Sequence, residues 1–341
     1  MQVEVEEPLS ILDEVGHPLN FGWARMPYFI YNPEQIHISR RRLSESDRYI
    51  ICSTTHILIL EVFDDGYLGY IGAAVLSLKD KKWTTQSYTV PFSMGSFEMP
   101  ASSETGAVRM QQRQSLIDFI SMKDGVRIIK TDIPQLGHHR RLRGELVLFA
   151  PEGAQSLFTL MPWRGEKNAF RYSRRSPWFI TEGVMQFGTS DIIFTRGNAW
   201  GIFDWNRSAR PRADMQYWAA ACGISSGQQA GFSVGYGAVD SSQGTENAFF
   251  VNGRLHKLDQ VTFHISPSNW LLPWRFTSND NRLEMDFAPF QERVESHQLG
   301  FYSIRRRQVC GLFSGKVLLD DGAEFTFQNL AGFAERRKTR F

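Results

Sequence analysis

Short apolar runs separated by turn signals make up most of this chain, and this pattern constrains the fold more than any other feature. Asn252 and Gly253 stand between the apolar run 249–251 and the segment 254–256, in which Leu255 is the apolar residue. An Asn-Gly pair favours a two-residue hairpin turn because both residues tolerate positive φ. Within residues 283–287 apolar and polar side chains alternate, as in antiparallel strands with one buried face. The pattern predicts an all-β sandwich or barrel with little helix.

Chain length and local composition indicate how many such units are present. With 341 residues the chain exceeds a typical single domain, so we expect two antiparallel barrels or sandwiches packed together. A change of composition near residues 174–187 predicts a boundary between residues 1–185 and residues 186–341. Apolar residues at helical spacing predict one short helix within residues 111–122, preceded by a Ser-, Gly- and Met-rich loop at 93–110.

The balance of charges argues against nucleic acid as a partner. The chain has 38 Lys and Arg against 36 Asp and Glu, a net charge of +2, so no strong field attracts nucleic acid or an anionic membrane. Short basic runs are interspersed with acids, and we interpret them as solvated strand faces and loop rims, with a binding patch as the alternative. These runs are residues 40–42, 138–143, 174–175, 305–307 and 336–338.

Cysteine usage and the first residues indicate the compartment. Cys52, Cys222 and Cys310 are far apart and odd in number, which fits neither a disulfide framework nor a metal-site spacing. The first residues are acidic and lack the apolar core of a signal peptide. No apolar run approaches the ~18 residues of a membrane span. We therefore expect a soluble cytoplasmic protein without integral membrane association.

Residues 200–217 mix arginines, an aspartate and aromatic side chains without a clear helix or strand period. Such a mixture suits a wall where an apolar pocket meets a few fixed polar groups. Asp204, Arg207 and Trp205 are the candidate site residues here, because a guanidinium binds carboxylate or phosphate well. The alternative is that Asp204 pairs with a neighbouring arginine and holds the loop in place.

A second candidate group surrounds the predicted hairpin at Asn252. Glu246 and Asn247 precede an apolar strand, and burying an unpaired carboxylate is costly, so Glu246 is expected to be paired, capping or functional. His256 lies on the return strand, and pairing of Phe250 near Leu255 would place it on the strand next to Glu246. Together with Asp204 these residues form a possible acid/base group; a structural histidine is the alternative.

The third candidate group is Trp270, Trp274 and Arg275. Tryptophans bury a large area and form ligand floors, and an arginine can stack on their faces. The alternative is ordinary core packing at the mouth of a barrel.

Motifs for nucleotides and catalytic metals are missing from the sequence. It contains no G-x-G-x-x-G opening a βα unit, no Walker A pattern, no H-E-x-x-H and no G-x-S-x-G. His138 and His139 are neighbours, and neighbouring side chains of an extended segment point to opposite sides, so chelation is not expected. We predict no cofactor and no metal site.

Several segments, in order along nearly the whole chain from about Glu7, resemble the family called domain of unknown function 2804. They are GWARMP (22–27), GYIG (69–72), MPW (161–163), WGIFDWNR (200–207), TENA (245–248), VNGRLHKL (251–258), PWR (273–275) and QVCGLFSG (308–315). The overall pattern is also distantly similar to two-domain lipocalin-like proteins such as carotenoid hydratases. That resemblance implies an apolar ligand within or between two lipocalin-like barrels, with acidic and aromatic side chains handling protons; it assigns no individual residue.

We hypothesise from these observations a protein that binds an apolar small molecule, such as a lipid or isoprenoid, and catalyses a cofactor-free protonation, hydration or isomerisation. In this hypothesis Glu246 or Asp204 transfers the proton, with His256 in the acid/base group, while tryptophans shield a developing cation. Two alternatives stay open. One is a lipid carrier without catalysis, and the other is a module that docks an acidic protein through Arg-rich loops.

Overall fold

The protein is described by a computed structural model that covers residues 2–36, 38–137 and 140–340. Within these residues the chain forms two large curled antiparallel sheets of near-barrel shape, a small parallel pair of strands, and no helix longer than a single 3-10 turn. The two 3-10 turns are Pro33–Gln35 and Arg40–Arg42. The predicted all-β class is therefore confirmed.

The first sheet comprises thirteen of the strands found in the described residues, and β1 pairs with β3 outside it. Its central order is β7-β6-β5-β4-β15-β13-β11-β10-β9-β8, with β12 and β14 pairing with β13 and β2 pairing with β12. The strands are β1 (Leu9–Ser10), β2 (Gly22–Ala24), β3 (Phe29–Ile30), β4 (Leu43–Ser53), β5 (His56–Asp64), β6 (Leu68–Ser77), β7 (Lys82–Pro91), β8 (Gly106–Gln112), β9 (Ser115–Ser121), β10 (Arg127–Leu136), β11 (Arg140–Phe149), β12 (Leu157–Trp163), β13 (Glu166–Phe187), β14 (Ser190–Phe194) and β15 (Ala199–Ala209).

The second sheet comprises nine strands in the described part of the chain, in the order β19-β18-β17-β16-β24-β23-β22-β21-β20. They are β16 (Ala213–Ser225), β17 (Gln228–Gly237), β18 (Ala248–Val251), β19 (Arg254–Lys257), β20 (Val261–His264), β21 (Trp274–Ser278), β22 (Leu283–Leu299), β23 (Tyr302–Leu318) and β24 (Glu324–Arg340). Each sheet encloses its own apolar core, and a third apolar cluster with residues from both sheets joins them.

The hairpin predicted at Asn252 is confirmed. Strands β18 and β19 pair with Phe250 opposite Leu255. Asn252 and Gly253 have φ of 49° and 77°, in the left-handed region that few other residue types adopt readily.

The helix predicted within residues 111–122 is wrong, because this segment forms the hairpin between β8 and β9. Ile117 and Phe119 are buried while Leu116 is 37% exposed, so burial alternates every second residue, as in a strand. Arg113 and Gln114 form the turn with φ of 47° and 70°. A turn without Gly or Asn gives no sequence signal for a hairpin. The loop predicted at 93–110 extends too far, because β8 begins at Gly106.

The chain crosses from the first sheet to the second between Ala209 and Ala213. Residues 174–187, where composition predicts the boundary, lie inside the continuous strand β13. The division at 185/186 stays a prediction, but the change of sheet occurs later in the chain. Most of residues 200–217, predicted as a loop, lie in β15, the last strand of one sheet, and in β16, the first strand of the other; residues 210–212 connect the two strands.

Candidate functional site

Buried ion pairs run across the boundary between the two sheets. Arg175 and Asp204 face each other on β13 and β15, and Asp204 faces Arg48 on β4, so three neighbouring strands place these side chains in a row. Arg175 forms an ion pair with Asp204, and Arg48 Nη2 lies 2.9 Å from an oxygen of Asp204. Arg48 Nη2 also lies 2.9 Å from Glu335 Oε1 on β24, which links the first sheet to the second.

The row continues at both ends. Beyond Glu335, Arg306 Nε lies 3.9 Å from Glu335 Oε2, and Arg306 Nη1 lies 2.6 Å from Glu61 Oε2. At the other end Glu246 Oε1 lies 3.1 Å from Arg171 Nη2 and 3.7 Å from Arg175 Nη2. We call the alternating series the inter-sheet ion chain; its members are Arg171, Glu246, Arg175, Asp204, Arg48, Glu335, Arg306 and Glu61. Each charge has neighbours of opposite sign, which offsets the cost of removing it from water.

Beside the ion chain is a small polar cavity of about 30 Å³, with Asp214, Gln216 and Arg210 in its lining. This volume holds roughly two water molecules, so it is too small for an organic ligand. Asp214 Oδ1 is buried and has no hydrogen-bond partner among the described residues. Burial raises the pKa of Asp214, while Arg171 and other arginines oppose that shift.

A larger pocket of about 420 Å³ lies on the other side of Glu246, and we call it the Glu246 pocket. Its lining includes Glu246, Asn247, Tyr236, Val239 and Phe263. Glu246 is 5% exposed and precedes β18, so the chain brings it into this wall just before the apolar strand begins. The pocket therefore combines apolar and aromatic side chains with one carboxylate, one guanidinium and several hydroxyl and amide groups, and small-molecule sites likewise set polar groups in an apolar wall.

The side chain of Asn247 fixes the wall of the Glu246 pocket by hydrogen bonds to the main chain. Its Oδ1 accepts a hydrogen bond from the Gly235 amide at 2.7 Å, and its Nδ2 donates to the Asp259 carbonyl at 2.7 Å. Both ends of the amide are thus occupied by main-chain partners. Asn247 holds the segment that carries Glu246, and it also lines the pocket.

His256 has a different environment from Glu246. It faces Phe249 across the hairpin, its Nδ1 accepts a hydrogen bond from the Asp320 amide at 3.2 Å, and the Asp320 carboxylate lies 3.6 Å away. Burial acts to raise the pKa of Asp320, but the nearby side chains of His256 and Arg282 lower it. Within the described residues His256 forms no hydrogen bond or ion pair with Glu246 or Asp204, so the predicted three-residue group is not assembled.

Trp205 and Arg207 point away from the ion chain, because they alternate with Asp204 along β15. The Trp205 ring lies edge-on to Tyr172 with centroids 4.9 Å apart, and the Arg207 guanidinium lies 4.5 Å from the Trp205 ring centroid. Arg207 is also 2.9 Å from Asp47. The two residues belong to the interior of the first sheet, separate from the Glu246 pocket.

Trp270 and Trp274 pack within the core of the second sheet. Their rings are perpendicular with centroids 5.0 Å apart, and Trp274 Nε1 donates to the Trp270 carbonyl at 2.9 Å. Arg307 covers Trp270 at 4.5 Å from the ring centroid. Arg275 has a largely exposed side chain that pairs with Glu284. This geometry matches the alternative interpretation, core packing, better than a ligand floor.

Several residues of the site were not identified from sequence. Arg175 and Arg306 belong to basic runs that we interpret from sequence as solvated, yet each is only 2% exposed. Asp214 could have been recognised, because it alternates with Gln216 and Trp218 on one face of β16. Arg48 and Glu335 carry no local signal, since their partners are distant in sequence.

The described residues contain no cluster of three or more His, Cys, Asp or Glu side chains able to hold a metal ion. No helix among them is long and apolar enough to cross a membrane. His138 and His139 lie outside the described residues.

Two curled antiparallel sheets joined by a buried polar boundary define a two-barrel, lipocalin-like all-β protein. A family model matches residues 2–341, and the chain belongs to this family, domain of unknown function 2804 (DUF2804). The family resemblance seen in the sequence is therefore confirmed. A comparison with curated protein sequences finds no match.

A comparison with solved structures finds matches at low sequence identity. The crystal structure of CghA with Sch210972 is 12% identical, with a TM-score of 0.56, 88% of this chain and 89% of that chain covered. Kievitone hydratase from Nectria haematococca is 9% identical, with a TM-score of 0.47 and coverage of 87% and 88%. The CghA match supports a shared fold; at this identity it carries no information on activity.

Proposed function

We propose that the protein binds a small, largely apolar molecule in the Glu246 pocket and transfers a proton to or from it without a cofactor. The observation that carries this proposal is a carboxylate only 5% exposed in the wall of a pocket of about 420 Å³. Pockets for small ligands span roughly 300–1,000 Å³ and place a few polar groups in an apolar lining.

The two oxygens of Glu246 have unequal surroundings, which supports a role as proton acceptor. Oε1 is paired with Arg171 at 3.1 Å and accepts a hydrogen bond from Ser173 at 3.4 Å. The one hydrogen bond that the described residues give to Oε2 is a long one from Gln216, at 3.4 Å. A carboxylate oxygen accepts up to about two hydrogen bonds, so Oε2 retains capacity for a ligand group.

The aromatic side of the pocket supports an apolar or transiently cationic ligand. Tyr236 and Phe263 lie edge-on to each other with centroids 5.1 Å apart, and Val239 and Val261 extend the apolar wall. Glu246 would take a proton from one carbon of the ligand and, as the acid so formed, return a proton to another carbon. Positive charge that develops on the ligand between these steps would be stabilised by the aromatic faces. A cofactor-free isomerisation or hydration fits this combination of side chains.

A deuterium-labelling experiment tests the proposal without knowledge of the substrate. The full-length protein is incubated in D2O with a solvent extract of cells, and the small molecules are analysed by mass spectrometry. Proton transfer at carbon adds one deuterium to the substrate or product. We expect labelling of a specific compound by the wild type and its loss in Glu246→Gln, because the amide cannot accept the proton.

Two glutamate variants serve as controls. Glu145→Gln removes an exposed carboxylate that pairs with Lys130 at 3.1 Å, and labelling should persist. Glu335→Gln removes a buried carboxylate of the ion chain outside the Glu246 pocket, so it reports how the loss of a buried charge affects labelling while Glu246 is intact. Labelling that survives Glu246→Gln would contradict the assignment. A compound that is retained by the protein without labelling would favour the lipid-carrier alternative.

A further inference from the structure

We propose that a second site, an apolar groove between the two sheets, binds a single long-chain carboxylate with its tail in the groove and its head beside Lys81. The groove has a volume of about 530 Å³ and is lined mainly by apolar side chains, including Leu78, Trp200, Ile224 and Phe290. It shares no lining residue with the Glu246 pocket, so this proposal goes beyond the function proposed above.

The groove is an open extension of the apolar contact between the sheets. Leu78, Trp200 and Phe290 are partly buried side chains packed against the third apolar cluster, which holds residues of both sheets. On the outer side Ile224 is 50% exposed. An apolar chain in the groove would cover this surface and continue the packing of the cluster, and such burial contributes ~25 cal/mol per Å².

Small and apolar residues form the floor of the groove. Cys52 and Cys222 lie there, each 1% exposed, with Gly223 and Ala331 beside them. Burial is the main cause that raises the pKa of Cys222 well above its ordinary value. Its thiol therefore remains protonated, and a buried protonated thiol behaves as a small apolar group. The floor presents no ionised group to a hydrocarbon chain.

The single charge at the rim selects the head group. Lys81 is the one charged residue in the described lining of the groove, and it has no ion pair with any described residue. It occupies the turn between β6 and β7 with φ of 50°. Ser53, Thr54 and Asn329 add polar groups to the lining. One cation beside a long apolar surface is complementary to a fatty carboxylate, which has one anionic head and one tail.

Bromine quenching of tryptophan fluorescence tests the site, because Trp200 lies in the lining. The full-length protein is titrated with 9,10-dibromostearic acid, and the same titration is repeated with its methyl ester. We expect saturable quenching by the acid in the wild type, and loss of the Trp200 component in Trp200→Phe. In Ile224→Asp quenching should be lost, because a carboxylate on the groove wall repels the head and is poorly solvated beside the tail.

Lys81→Met separates the head-group interaction from the tail. An exposed ion pair contributes up to about 1 kcal/mol. We therefore expect Lys81→Met to weaken binding of the acid about two- to fivefold and to leave binding of the ester unchanged. Thermal unfolding at the wild-type temperature shows that each variant is folded; Ile224 and Lys81 are exposed, so both substitutions should be tolerated.

Three results would overturn the proposal. One is no saturable quenching of the wild type, and a second is quenching that survives Ile224→Asp. The third is quenching that disappears in Glu246→Gln while Ile224→Asp leaves it intact, since the carboxylate would then occupy the Glu246 pocket. An equal effect of Lys81→Met on acid and ester would refute the head-group assignment. Loss of labelling in Glu246→Gln with normal quenching leaves this proposal standing independently of the proposed function.

Discussion

Asp65 connects the two sheets, and its replacement by asparagine should destabilise the protein by about 2 kcal/mol at neutral pH. The residue lies in the turn between β5 and β6 and is fully buried. Its Oδ2 accepts hydrogen bonds from Tyr302 at 2.7 Å and from Arg337 at 2.5 Å, both on the second sheet. Arg210 lies 3.5 Å from the same oxygen.

The expected magnitude follows from the pKa of Asp65. Burial acts to raise this pKa, but Arg210 and Arg337 outweigh it and lower the pKa from 3.8 to about 2. Each pKa unit corresponds to ~1.4 kcal/mol, so the ionised carboxylate stabilises the fold by about 2 kcal/mol. Because the pKa is lowered in the folded state, this stabilisation is present above pH 3.8 and is lost as the pH falls towards 2.

Denaturant unfolding followed by tryptophan fluorescence measures the effect. Asparagine resembles a protonated aspartate, so Asp65→Asn should lower the free energy of unfolding at pH 7 by about 2 kcal/mol and at pH 3 by roughly half as much. Asp132→Asn is the matched control: it breaks a partly exposed pair with Arg141 at 2.6 Å and should cost under about 1 kcal/mol. The reasoning is refuted if Asp65→Asn leaves the free energy of unfolding unchanged, or if it lowers that free energy equally at pH 7 and pH 3.

Three further variants test the fold. Arg48→Met leaves Asp204 and Glu335 without a shared partner and should lower the free energy of unfolding by about 3–5 kcal/mol in guanidinium; a loss under ~1 kcal/mol would contradict the role of the ion chain. Trp274→Ala should cost about 3–5 kcal/mol, measured by urea unfolding, because the ring is 1% exposed; a neutral effect would contradict its place in the core. Gly253→Val should lower the melting temperature by several degrees, since its φ is 77° and a Cβ would lie 3.1 Å from Ala154; an unchanged temperature would show that the turn adapts.

Local signals explain which parts of the fold could be predicted from sequence. The hairpin at Asn252 is predictable because Asn and Gly are the residue types that most readily adopt positive φ. The hairpin at Arg113 was mistaken for a helix because its turn residues adopt positive φ without being Gly or Asn. Strand assignment therefore depended on turn chemistry, and a turn stabilised by its flanking strands escaped detection.

The site was only partly predictable, for a different physical reason. Glu246 stood out because an acid next to an apolar strand needs a partner, and Asp204 because it lies among arginines. The partners themselves come from other strands: Arg175 and Arg48 flank Asp204 through strand register. Charged residues on β15 interrupt the alternation of apolar and polar side chains that indicates a strand. The sequence of this buried strand therefore resembles that of a loop. Long-range pairing, and not composition, decides which of these charges are buried.

The strand order has a consequence for how the molecule folds. In the first sheet Leu43 of β4 pairs with Ala209 of β15, and in the second sheet Ala213 of β16 pairs with Arg340 of β24. Each of these two strand pairs joins segments that are more than 100 residues apart in sequence. Such contacts slow folding because a long loop must close before the strands can pair. A nascent chain on the ribosome would carry β16 with one edge unpaired until β24 emerges. Unpaired edges invite intermolecular association, so β16 is open to such association until β24 has been synthesised.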